Sequence, residues 1–111
     1  MGIETFPEIE NFQKLPHQVI VKGGSWNFSE REGAELRGIV INNIGQPICH
    51  LRISLIVLND RKLPVLNTSV AAVPETLSQG GIATFIFQLK DYAERINDYH
   101  LLTHWKFDER P

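Results

Sequence analysis

Eleven Lys and Arg stand against thirteen Asp and Glu in a chain of 111 residues, giving a formal net charge of −2. Because the two signs are interspersed, the sequence lacks the clustered basic charge on which non-specific nucleic-acid binding draws, and no nucleic-acid partner is expected. A single cysteine, Cys49, excludes an internal disulfide and fits a reducing, cytoplasmic setting.

A chain of this length fits one domain, burying roughly two thirds of the surface its unfolded form exposes. No uninterrupted apolar run approaches the ~18 residues of a membrane helix, so no membrane span is expected. The start MGIETFPEIENFQ has neither the basic nor the apolar stretch of an export signal. Met1-Gly2 opens like a myristoylation site, but that pattern wants Ser or Thr where Phe6 stands.

In chain order, residues 1–16 form a separate N-terminal segment, with 17–111 as a single β domain. Thr5 and Glu8 make a capping-box pattern, Pro7 suits a first turn, and Pro16 stops the run. Phe6, Ile9, Phe12 and Leu15 can share one side, so a short helical or irregular segment is expected to pack on its own domain or on a twin copy. From His17 the pattern is β. Val19 to Val21 predict a short strand ended by Gly23-Gly24-Ser25, after which Trp26 and Phe28 lie two apart on one face. Ser29 to Gly33 is a turn. Leu36, Gly38 and Val40 alternate with Glu35, Arg37, Ile39 and Ile41, a strand that becomes apolar on both faces towards its end. Asn42 to Pro47 is a turn by composition.

Cys49 to Asp60 holds the longest alternation, with Leu51, Ile53, Leu55 and Val57 at every second position, and predicts a central strand. Ile56 and Leu58 are apolar as well, so both faces of its end call for cover. After a polar turn without glycine, Pro64 to Val73 predicts a strand whose leading proline marks an edge or strand start. Ile82 to Leu89 predicts a second core strand through Ala83, Phe85, Phe87 and Leu89. Lys90 to Ile96 is a short helix-forming run. Tyr99, Leu101, Thr103, Trp105 and Phe107 alternate with His100, Leu102, His104 and Lys106 in a last strand. Six or seven such strands without long helices predict an all-β fold, an antiparallel sandwich or barrel. Its core is expected to hold Leu51, Ile53, Leu55, Val57, Phe85 and Phe87, with the two core strands touching or facing one another.

Three stretches carry a resemblance: Gly38 to Asn43, then Leu51 to Asp60, then Leu77 to Phe85 with Gly80 in its turn. Over residues 36–89 the chain resembles the FxLYD family and its Ig-like bacterial relatives. It departs from that pattern where Leu58-Asn59 stands in place of Tyr-Asp and where the usual following glycine is absent. The resemblance implies an Ig-like sandwich and no activity, since that family has no catalytic motif to carry over.

The chemistry-bearing residues fall apart on inspection. Four histidines, His17, His50, His100 and His104, suggest a metal, yet on a strand His100 and His104 are about 13 Å apart, too far to share one ion. Cys49 and His50 resemble a thiolate pair, but neighbours on a strand point to opposite faces. Asp91, Glu94 and Asp98 read as solvated charges. No cofactor, metal site or enzyme is expected. What is left over is apolar surface beyond one core: Ile39, Ile41, Ile56 and Leu58 opposite their strands' core residues, with Trp26, Phe28, Phe6, Ile9, Phe12 and Leu15 adding large side chains. The expected role is a non-catalytic interaction or assembly module, a homodimer or one with a protein partner. The alternative is a small-ligand-binding β-barrel whose cavity Trp26, Phe28, Tyr99 and Trp105 would line.

Overall fold

The computed structural model describes residues 17–90, 96 and 98–109. The readings for Phe6, Ile9, Phe12, Leu15 and the rest of 1–16, and for the short helix-forming run, lie largely outside those residues. Six strands are formed: β1 (Val19–Ser29), β2 (Gly33–Asn42), β3 (Ile48–Leu58), β4 (Pro64–Ala71), β5 (Ile82–Leu89) and β6 (Tyr99–Phe107). They build two antiparallel three-stranded sheets, β1-β2-β5 and β4-β3-β6, called here sheets A and B. The chain is therefore all-β, a two-sheet sandwich. No helix among the described residues is long and apolar enough to cross a membrane.

The alternation read along β3 places it at the middle of sheet B, where Leu51, Ile53, Leu55 and Val57 are buried. Across the sandwich, β5 contributes Ala83, Phe85 and Phe87 to the same core, and β2 contributes Ala34, Leu36 and Val40. The two core strands thus belong to different sheets and face one another. Phe85 and Phe87 meet edge to face at 5.7 Å, a favoured geometry for aromatic quadrupoles. Phe85 reaches over Gly38, its cross-strand partner, where a Cβ would sit 2.3 Å from the ring. Glycine is the residue that leaves this ring room.

β1 differs from the expectation. It does not stop at Gly23-Gly24 but runs through them, with its register on β2 shifting between Gly23 and Trp26. Glycines that suggest a stop are here a bulge, because at Gly24 a Cβ would stand 3.0 Å from the Arg37 carbonyl oxygen. The shift brings Trp26 opposite Leu36 and Phe28 opposite Ala34, on the inward face. A second irregularity lies on β3, where the β6 register shifts between Cys49 and Arg52 and His50 adopts φ 55°.

Polar side chains shape the turns. The β3–β4 turn manages without glycine because Asn59 Oδ1 accepts the amides of Arg61 and Leu63, while Lys62 takes the left-handed conformation at φ 64°. The Lys62 ammonium donates to Asp98, holding that carboxyl below its ordinary range. Any stability it adds is present at neutral pH and lost as pH falls through the lowered pKa.

Asn42 at the end of β2 is the one buried polar side chain among the described residues, fully out of solvent. Its Nδ2 donates to the carbonyls of Gln46, Leu77 and Ser78 at 3.0, 3.2 and 3.1 Å, and its Oδ1 accepts from Ile44 N at 3.1 Å. Its backbone N donates to Gly81 O and its carbonyl accepts from Gly80 N. One residue thus ties the β2–β3 turn to the loop before β5.

Candidate interaction surface

Alternation sends Glu35, Arg37, Ile39 and Ile41 of β2 away from the core, and pairing extends this outer face across sheet A. Ile20 lies opposite Ile41 and Ile41 opposite Ile82, while Lys22, Ile39 and Thr84 make the next row and Arg37 lies opposite Ile86. Directly paired side chains on one face sit about 4.5–5.5 Å apart at Cβ, which joins Ile20, Ile41 and Ile82 in a row, with Ile39 two residues along β2 from Ile41 and Ile86 on the diagonal from Ile39. Ile20 and Ile41 are buried, yet neither belongs to the core cluster. Ile39 is half-buried, and Ile82 and Ile86 are 40% and 46% exposed.

On sheet B the outward residues of β3 are Arg52, Ser54, Ile56 and Leu58; Ile56 and Leu58 are half-buried. Ile56 lies between Asn67 of β4 and His100 of β6, with Leu58 two along its own strand and Leu102 on the diagonal. The predicted contact residues therefore separate. Ile39 and Ile41 join a patch, whereas Ile56 and Leu58 do not meet them, being on the opposite face of the sandwich. The patch also includes Ile20, Ile82 and Ile86, which the strand reading passed over. The signal was present: the β5 residues out of phase with its core side chains, Ile82, Thr84, Ile86 and Gln88, include two isoleucines.

Trp26 and Phe28 sit elsewhere, on the inner face at the bulged end of β1. Trp26 is half-buried against the core, stacked on Phe28 at 6.3 Å and edge-on to Tyr99 at 5.5 Å. Trp105 packs the core and meets Phe107 at 4.9 Å, leaving Phe107 41% exposed. These rings spend their faces on one another. Trp26 Nε1 is buried without a hydrogen-bond partner, which costs the fold the desolvation of that donor. Trp26→Phe is accordingly expected to change stability by less than about 1 kcal/mol in urea melts, since loss of the orphaned donor offsets the smaller ring. A loss above about 3 kcal/mol would mean that the indole is held by a bond of its own.

The remaining polar side chains among the described residues lie on separate faces and edges of the two sheets. His100 and His104 are exposed on the outer face of sheet B, and no group of three metal-ligating side chains exists among the described residues. Ser54 Oγ and His104 Nε2 are 2.8 Å apart, half of a nucleophile–base pair. Ser54 lies on the middle strand, however, paired with Ser69 on one side and Leu102 on the other. Ladder pairing on both sides engages the backbone N–H groups that would have to stabilise an oxyanion. Cys49 is half-buried, with its thiol 3.8 Å from the Phe107 carbonyl. With His50, Glu75, Lys106 and Glu109 it borders an open cleft of about 650 Å³ at the end of sheet B.

No family model, curated protein or solved structure matches the chain. Its function is to be read from its own surface, where the isoleucine patch on sheet A lies outside the core cluster.

Proposed function

We propose that this chain is a non-catalytic interaction or assembly module, an Ig-like sandwich similar to FxLYD domains, that contacts a protein partner through the outer face of sheet A. The observation that carries the reading is the patch of Ile39, Ile82 and Ile86 beside Ile20 and Ile41. Ile82 and Ile86 leave apolar area in water beside the buried Ile20 and Ile41, and contiguous exposed apolar patches mark contact surfaces. Arg37 and Glu35, bonded to each other at 3.1 Å, stand beside it as a polar border, the arrangement of an apolar centre with a wet rim. The Ig-like assignment is supported by strand order: β2 to β3, β4 to β5 and β5 to β6 each cross between sheets, while β1–β2 and β3–β4 are hairpins.

The test is a photo-crosslinking residue at Thr84, which is exposed within the patch opposite Ile39, introduced in the native cell. One discrete adduct, absent when the probe is moved to His104, exposed on β6 of the far sheet, is the expected result. Equal labelling from both positions would remove the reading.

A further inference from the structure

We infer that β4 is an edge built to pair with β4 of a second copy, joining two sheets B into one six-stranded sheet about a two-fold axis. This goes beyond the sheet A reading and uses a different surface.

An edge strand can offer one row of backbone donors and acceptors to an added strand, and three of the four edges here are blunted in ways that discourage it. β1 carries Lys22 and the bulge at Gly23 to Trp26. β6 carries His100, His104 and Lys106. β5 is uncharged, but the edge groups of Thr84 are taken by Val73, N to O in both directions at 2.8 and 2.9 Å. β4, PVLNTSVA, has eight residues, none charged, and pairs only with β3. Its proline is its first residue, where a missing N–H does not interrupt the ladder. Val65 on it and Leu63 before it are 54% and 55% exposed.

The side chains are also complementary to their own reverse. In an antiparallel pair the inward residues must meet inward residues, so a two-fold axis has to pass through a residue and not between two. With the axis at Thr68, threonine faces threonine and Leu66 faces Val70 of the second copy on the inward side. On the outward side Asn67 faces Ser69 and Val65 faces Ala71 of the second copy. Apolar meets apolar and hydrogen-bonding meets hydrogen-bonding at every position, with no like charges opposed, and these are the pairs that stabilise ladders. Moving the axis to Asn67 sets Leu66 against Thr68 and Val65 against Ser69, which loses that match. The geometry thus fixes both the occupant and its register.

Sedimentation velocity of the full chain from micromolar to millimolar concentration is the first reading, and a concentration-dependent shift to twice the chain mass is expected. Asn67→Lys with Ser69→Lys, both exposed sites, sets lysine against lysine twice and should return the monomer mass at every concentration with the melting temperature kept. In a Cys49→Ser background, Thr68→Cys should oxidise to a disulfide-linked dimer while Val65→Cys, opposite alanine, should not. A wild type that is monomeric throughout overturns the inference. So does a dimer that survives the two lysines, or one that Val65→Cys links as readily as Thr68→Cys. None of these outcomes touches the Thr84 adduct, so the two surfaces stand or fall separately.

Discussion

Truncating Phe85 to alanine is expected to lower stability by about 3–5 kcal/mol, a large share of what a small domain has. The ring is 2% exposed, sits in the core cluster with Leu51, Ile53, Leu55 and Val57 from the other sheet, and makes the edge-to-face contact with Phe87. Removing it also leaves the space above Gly38 empty, because the strand there has no side chain with which to collapse into the gap. The cost is therefore the lost transfer of a phenyl ring plus a cavity that cannot close. Urea melts of the variant measure it directly. A loss under about 1 kcal/mol would mean that the two sheets do not share this core.

Asn42→Ala should cost about 1–3 kcal/mol for a different reason. Leu77 O and Ser78 O keep a second donor each, from Ile48 N and Gly81 N, while Ile44 N and Gln46 O lose their bonds to the Asn42 side chain. Those two groups are part-buried and can turn to water, so the cost is the loss of a network held by a fully buried amide, where an exposed asparagine would lose little. Hydrogen exchange separates this from a general loss of packing. The amides of Ile44, Gly80 and Gly81 should exchange faster in the variant at a denaturant level where those of Ile53 and Leu55 stay protected. Uniform acceleration would contradict the local role.

Much of the fold was legible because β3, β5 and β6 are half-buried strands, and burial on one face writes a period of two into the sequence. Leu51, Ile53, Leu55 and Val57, and Ala83, Phe85 and Phe87, keep that period and land in the core, although Ile56 and Ile86 between them are apolar too. β1 was legible only in part. Gly23-Gly24 carries no hydropathy, so composition cannot separate a strand that ends from one that bulges; the pairing with Gly38 decides, and that is a tertiary fact. His50 is a similar case, since nothing in its neighbours announces a left-handed residue inside a strand. Asn42 was read as turn composition, whereas its role depends on carbonyls 35 and 36 residues away.

The contact surface was half visible. Ile39 and Ile41 stood out because they break their strand's alternation, and the same rule singled out Ile56 and Leu58, which the fold carries to the other sheet. A period count along one strand says that a face is apolar without saying which strands lie beside it. Ile20, Ile41 and Ile82 become a row only once β1, β2 and β5 are known to be neighbours in that order.

The most direct measurement is the yield of the Thr84 photo-adduct in native cells, compared between the otherwise wild-type chain and one carrying Ile82→Thr with Ile86→Thr. Threonine keeps the β-branched shape that strands favour and removes apolar area from the patch alone. The account predicts that the adduct disappears while the urea midpoint stays within the range of an ordinary surface change, about 0.5 kcal/mol. An undiminished adduct would contradict it, and so would a loss of several kcal/mol in stability, which would make the two isoleucines part of the interior and not of a surface that meets a partner.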